Sequence, residues 1–236
     1  MPDESVTQQA KQAAELQFWI EEITRYRKWY RGELSPLYRT PGPLEHQKVK
    51  STSEKDSSIL TWHRLHQEVK YLEDLDLPAD VFQGMKVLDV GAGPIPSATC
   101  FKGCRLYCLE PLIPQYLEAG FPLHYYDNVN FVHGAAENIP LKDDFINAVI
   151  SVNAIDHVDD IEATSSEIRR VLKPGGLFRM HVHYHQAMVC EPIVLNDRIF
   201  RELFGWCGDL RKLKVSNSNH STLLDDQESY VLWSNF

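Results

Sequence analysis

The 236-residue chain carries 24 Lys and Arg against 33 Asp and Glu, a formal charge of −9, with no basic stretch to offset it. This balance argues against a nucleic-acid partner. Its 43% apolar and 24% charged residues are those of a globular protein, not a disordered one. No apolar run approaches the roughly 18–20 residues that span a bilayer, so no membrane partner is expected. Residues 1–11 are polar and carry acids, unlike a secretory signal, and the expected location is the cytoplasm. The five cysteines (Cys100, Cys104, Cys108, Cys190 and Cys207) form no Cys-x-x-Cys pair and are odd in number. That is the pattern of free thiols in a reducing compartment.

In chain order, residues 10–34 repeat apolar side chains at Leu16, Trp19, Ile20, Ile23, Tyr26, Trp29 and Tyr30, close to the 3.6-residue period of a helix. Gly32 and Pro36 mark its end. A polar connection is expected from Thr40 through Ser58, followed by a second helix over residues 59–75. The chain therefore divides into a helical cap or extension, residues 1–80, and a second region, residues 81–236. The cap is expected either to cover a substrate site or only to bury one sheet edge. From residue 86 strands and helices alternate, the pattern of a mainly parallel α/β sheet. Strands are predicted at 86–90, 105–110, 129–133, 146–152 and 177–184, with helices near 95–102, 113–119, 160–172 and 193–204. Two short strands, 210–215 and 230–233, should close the sheet as an antiparallel pair.

The most informative stretch is Lys86-Val-Leu-Asp-Val-Gly-Ala-Gly-Pro94. A short aliphatic run ends in an acid and enters Gly-x-Gly, which reads as a buried strand and a tight turn that a ligand can approach closely. A second apolar run ends in Glu110, and an acid at the tip of the neighbouring strand can accept both hydroxyls of a ribose. Together these describe a nucleoside-cofactor site.

Five segments in order carry a family resemblance. They are Val87-Leu-Asp-Val-Gly-Ala-Gly93, Glu110-Pro111, Gly134-Ala-Ala-Glu-Asn-Ile-Pro-Leu141, Asp144 to Val152 with Asp156-His-Val-Asp-Asp160, and Arg170-Val-Leu-Lys-Pro-Gly-Gly176. Over residues 84–184 the chain resembles the class I S-adenosylmethionine (SAM)-dependent methyltransferases of the small-molecule, type 11-like kind. The resemblance implies a Rossmann-like sheet, mostly parallel with an antiparallel final strand, flanked by helices. It implies SAM as cofactor, with Gly91, Ala92 and Gly93 offering backbone amides to its amino-acid tail and Asp89 holding the turn or, through water, the ammonium group. Glu110 would take the ribose hydroxyls, with Pro111 beside it. Ala135, Ala136 and Glu137 would form the adenine edge, and Asn153 and Ala154 would face the methionine moiety. Two positions depart from the family pattern. Ala135 stands where many relatives have an acid, and Ile95 occupies the third glycine position. A nicotinamide-dependent oxidoreductase would need a glycine at Pro96 and a Tyr-x-x-x-Lys pair, and the chain has neither. A fold that binds SAM or a partner without turnover is the other alternative.

Methyl transfer is an in-line displacement that needs an aligned acceptor and, for a hydroxyl, a base. Two clusters qualify. In the first, Asp156 is a candidate base, or His157 is the base with Asp156 orienting it; alternatively Asp156 caps the next helix and His157 packs behind the sheet. The second is His181-Val-His183-Tyr-His185, whose three imidazoles share one strand face. His183 and His185 are candidates for a base or for binding a polar acceptor, or the histidines are structural. A divalent metal with Glu191 or Asp197 is the third option. Successive same-face positions lie about 6.5–7 Å apart, too far for one ion to reach all three easily, and no metal is assigned. The segment from Glu191 to Asp197 is expected to start a helix. The expected acceptor is a small polar molecule, such as a hydroxylated metabolite or sugar derivative.

Overall fold

The computed structural model describes residues 4–34, 47–188, 191–216, 218–219, 222–223 and 228–236. Residues 40–46 of the predicted connection lie outside these residues, as does Cys190. Helix α1 (Glu4–Tyr30) buries Ile23, Tyr26 and Trp29, three apart on one face. It ends where Gly32, at φ +78°, donates to the Trp29 carbonyl while Glu33 donates to that of Lys28. This paired closure, with glycine in the left-handed position, ends the helix before residue 34.

The second helix starts earlier than its apolar pattern suggests. Ser53 accepts from the Asp56 amide at 3.0 Å and caps α2 (Glu54–Trp62), so the acidic and serine residues read as linker form its first turn. A π-helical turn (His63–Gln67) then leads into α3 (Glu68–Leu75), which ends at Asp76 in the left-handed conformation.

Seven strands form the main sheet: β1 (Lys86–Val90), β2 (Arg105–Glu110), β3 (Asn130–His133), β4 (Ile146–Val152), β5 (Leu172–Tyr184), β6 (Arg211–Ser216) and β9 (Ser229–Ser234). Two-residue strands β7 (Ser218–Asn219) and β8 (Thr222–Leu223) pair apart from it. The order is β3-β2-β1-β4-β5-β9-β6, and β9 alone runs antiparallel to its neighbours. The strand order reverses between β1 and β4, and the crevice at their carboxyl ends is where such sheets hold ligands.

Each face of the sheet is covered. Val87, Leu106, Cys108, Ala148 and Ile150 pack with the helices of residues 4–75, whereas Leu88, Val90, Leu109, Val149 and Phe178 pack under α5 (Ile161–Val171) and α6 (Asp197–Phe204). The front helices thus share one core with the sheet. They also account for a missing element. Residues 95–102 form only a 3-10 turn (Ser97–Cys100), because Pro94 and Pro96 oppose an α-helix and α3 already covers that face. The 113–119 prediction corresponds to α4 (Ile113–Glu118).

Strand β5 begins at Leu172, not at 177, and its register with β4 shifts between Ile146 and Ala148 to absorb the Pro-Gly-Gly step. Helix α6 begins later than predicted, where Asn196 Oδ1 accepts from the Arg198 and Ile199 amides, each at 3.0 Å. The segment from 191 to 195 is therefore extended. Among the described residues no helix is long and apolar enough to cross a membrane.

Candidate active site

A cleft of about 1200 Å³, open solvent included, lies over the carboxyl ends of β1, β2 and β4. Its floor is the turn after β1. Gly91 and Gly93 hold φ +73° and +69°, a conformation that disfavours any side chain. The Gly91 and Ala92 amides both donate to the Leu109 carbonyl, at 3.0 and 3.2 Å, and that of Gly93 to Glu110 Oε2 at 3.0 Å. All three are thus bonded to β2. What the turn offers the cleft is a surface without side chains.

Glu110 lines the cleft and is 6% exposed. Its Oε1 accepts from the Leu112 amide at 3.0 Å. Burial pushes its pKa up to about 7, against the pull of the Leu112 and Gly93 amides. A carboxylate has about four acceptor sites, so two remain for ligand hydroxyls. Pro111 lies beside it in the wall.

Asp89 does not line the cleft. It is fully buried on the face toward α3, where the Tyr71 hydroxyl donates to Oδ1 at 3.5 Å and Oδ2 has no hydrogen-bond partner among the described residues. Burial raises its pKa to about 8. Even and odd positions of β1 face opposite layers, and Asp89, expected at the turn or an ammonium group, lies on the face toward Tyr71.

Ala135, Ala136 and Glu137 line one end of the cleft. Glu137 Oε1 accepts from the Asp159 amide at 2.6 Å and the Asp160 amide at 3.3 Å, tying this loop to the start of α5. Arg170 secures the same loop from below, donating to the carbonyls of Ile139 and Leu141 at 2.8 Å each. Asn153 and Ala154 form the opposite wall. Asn153, at φ +50°, pairs through Oδ1 with His181 Nδ1 at 2.8 Å.

The Asp156-His157 pair divides. His157 faces the cleft, with Nδ1 3.0 Å from Glu15 Oε2 on α1 and Nε2 3.6 Å from Glu191 Oε1. Burial lowers its pKa, but Glu15, Asp156 and Glu191 overcome this and bring it to about 9. Asp156 turns inward to His185 Nε2 at 3.1 Å and does not hydrogen-bond to His157. Neither residue caps α5, since Asp160 accepts from the Glu162 and Ala163 amides there. Lys11 on α1 donates to the His157 carbonyl at 2.7 Å and pairs with Asp159, so α1 roofs the cleft.

The three strand imidazoles also separate. His183 and His185 stack at 4.5 Å, but Tyr230 lies between His181 and His183, stacking on both. Neither His183 nor His185 lines the cleft. Of the two neighbouring acids, Glu191 joins them, while Asp197 pairs with Lys212.

Residues 88–180 match the model of a methyltransferase domain family. Over this stretch the chain is similar to methyltransferase domains, in line with its resemblance to the class I SAM-dependent family. A sterol 24-C-methyltransferase of Gibberella zeae is 38% identical to this chain over 104 residues, 42% of this chain and 27% of the relative. A malonyl-[acyl-carrier protein] O-methyltransferase of Xylella fastidiosa is 25% identical over 126 residues, 52% of this chain and 42% of the relative. The chain thus spans under half the length of these curated relatives. Among solved structures, the YcgJ protein of Bacillus subtilis superposes with a TM-score of 0.55 at 16% identity, covering 72% of this chain and 97% of its own. A phosphoethanolamine N-methyltransferase of Haemonchus contortus, solved with S-adenosylhomocysteine, gives 0.55 at 16% identity, covering 79% of this chain and 60% of its own. SAM is the cofactor of this family.

The sequence did not point to the polar side chains that the front helices bring to this cleft. Lys11, Gln12 and Glu15 come from α1, and Gln67, Lys70 and Tyr71 from the π turn and α3. The one available signal was the four-residue spacing of Lys11 and Glu15, which puts both on one helix face.

Proposed function

We propose that the protein binds SAM in this cleft and transfers its methyl group to a small polar acceptor held between α1 and the turn after β4. The observation that carries the reading is the placement of a buried carboxylate, Glu110, beside a glycine turn at the switch point of the sheet. Glu110 retains acceptor capacity for two ribose hydroxyls. Gly91 and Gly93 leave the floor bare for the cofactor's tail, and Ala135 and Ala136 leave a flat, small-residue edge for adenine. Glu137 positions that edge by anchoring it to α5. Asn153 and Ala154 border the methionine end.

Bound SAM supplies an electrophilic methyl group on a sulfonium. The chain's own task is to align the acceptor, keep water out and manage the acceptor's proton. Of the four catalytic candidates, His157 is the one that faces the cleft, and we assign it to the acceptor, oriented by Glu15. Asp156, His183 and His185 stand behind it. A polar acceptor fits the lining of Lys11, Gln12, Glu15, Gln67 and Lys70 better than a hydrocarbon, whose burial there would strand charged groups.

The test is calorimetric titration with SAM, followed by detection of released S-adenosylhomocysteine with pools of hydroxylated and amino acceptors. Micromolar SAM binding and product release with one pool support the reading. SAM binding without product from any pool supports a protein that binds the cofactor without turnover. His157→Ala should keep SAM affinity within a few fold while turnover falls by about 10²-fold or more. Unchanged turnover would remove His157 from the chemistry.

A further inference from the structure

Behind His157, two carboxylates and two imidazoles from three segments converge on one spot. Asp156 comes from the turn after β4, His183 from the end of β5, His185 from just beyond it, and Glu191 from the stretch before α6. One ligand atom from each lies within 4.8 Å of all the others. His185 Nε2 is 3.1 Å from Asp156 Oδ2 and 3.3 Å from Glu191 Oε2, and His183 Nδ1 is 3.6 Å from the same Glu191 oxygen. Ligands about 2.0–2.2 Å from a tetrahedral ion stand roughly 3.4 Å apart, within the range of these contacts.

The hydrogen bonds leave a place for a cation. His185 Nδ1 lies 2.6 Å from the Gln186 carbonyl, which only accepts, so this nitrogen carries a proton. Nε2 of the neutral ring would then aim a lone pair at two carboxylate oxygens. Asp156 is 1% exposed, yet among the described residues its Oδ1 has no hydrogen-bond partner, and the same holds for His183 Nε2 and Glu191 Oε2. Two carboxylates in such a position are costly unless neutralised. One divalent ion cancels both charges and leaves both imidazoles neutral.

We propose that Asp156, His183, His185 and Glu191 form a binding site for one divalent transition-metal ion, of which Zn²⁺ is the first choice. The donor set decides the class, because mixed imidazole and carboxylate ligands suit Zn²⁺, whereas Mg²⁺ and Ca²⁺ prefer oxygen alone. The bond from His185 Nδ1 to a backbone carbonyl is the outer contact that orients a ligating histidine and fixes its tautomer. Four protein ligands in a buried position match a structural ion. It would fasten the stretch around Glu191 to the turn that carries His157. The site stands whatever the acceptor is, since none of its four residues touches the cleft floor.

The test uses the full chain, stripped with EDTA and dialysed, then titrated with Co²⁺ and afterwards with Zn²⁺. We expect one equivalent of Co²⁺, the visible absorption of a four-coordinate ion, its displacement by Zn²⁺, and a higher melting temperature with either metal. His183→Asn and Glu191→Gln should each lower Zn²⁺ affinity by more than about 100-fold. Glu191, half-buried in an extended segment, keeps the test valid if the His183 variant does not fold. Absence of saturable uptake by the stripped protein overturns the site and leaves a cluster bridged by shared protons. Unchanged uptake by the folded variants also overturns it, by locating the ion on other imidazoles.

Discussion

A Cβ built on Gly91 would sit 2.2 Å from the Cβ of Ala154, so the turns after β1 and β4 touch with no room for a side chain between them. Gly93 is a turn residue of a different kind. Its Cβ would point into the cleft and meet only Trp19, at 3.7 Å. Gly91→Ala should therefore lower stability by about 2 kcal/mol or more, through both overpacking and the left-handed backbone. Gly93→Ala should cost only the backbone part, about 1 kcal/mol. Urea titration of the two variants checks the difference, and equal losses would contradict the close contact.

Glu110→Ala should weaken SAM binding about tenfold or more, from the loss of one or two charge-assisted hydrogen bonds. Calorimetry measures this directly. Unchanged affinity would refute the ribose assignment.

The pH dependence of binding follows from the same carboxyl group. With a pKa of about 7 in the free protein, Glu110 is mostly protonated at pH 6 and mostly charged at pH 8. The charged form is the better acceptor, so SAM affinity should rise roughly tenfold between these two values. Glu110→Gln should flatten the rise. A steady affinity in the wild type would mean that burial does not hold the proton.

Asp89 makes a prediction about folding. Its folded pKa of about 8 lies above the ordinary aspartate value of about 3.9, so the folded state holds a proton that the unfolded chain releases. The cost is absent below the unfolded value, grows as pH rises, and is complete above the folded one. Asp89→Asn should leave stability near pH 4 little changed and raise it at pH 8.5, as read by thermal melts. A variant less stable at pH 8.5 would show that the carboxylate is needed in its charged form.

Arg170 acts at a distance from the cleft. It holds two carbonyls of the loop that ends at Leu141 and pairs with Glu167 and Asp143. Glu167 in turn accepts from the Ile139 amide. Arg170→Ala should cost about 1–2 kcal/mol and loosen the adenine edge, with a several-fold loss of SAM affinity. Hydrogen exchange at residues 138–141 should rise in the variant, and unchanged protection would remove this role.

How far these features could be read from the sequence depends on the range of the forces involved. β1, β2 and β4 were legible because short aliphatic runs bounded by glycine and acids have few alternatives. The first turn of α2 was missed because its apolar stripe begins after the Ser53 cap, and only the cap marks the start. Asp156 and His157 are adjacent in sequence, yet a 3-10 turn sends one inward and the other into the cleft. Glu15 meets His157 across 142 residues, and no local pattern records that meeting. His185 follows the last residue of β5, so it escapes the strand spacing that seemed to keep it from His183. Its ring turns back to stack there.

The π turn at 63–67 sets the rotational phase of the helix that follows. Each residue of an α-helix advances about 100° around its axis, and the wider turn offsets α3 from the line of α2. With this offset, Trp62 stacks on Tyr26 at 4.5 Å while Tyr71, further along, reaches Asp89. A π turn holds one residue more than an α turn, so deleting a single residue there would restore a regular helix and leave Lys70 and Tyr71 near their places. A one-codon deletion in this turn would thus be absorbed locally, whereas the same deletion within α2 would move every later contact of the helix at once.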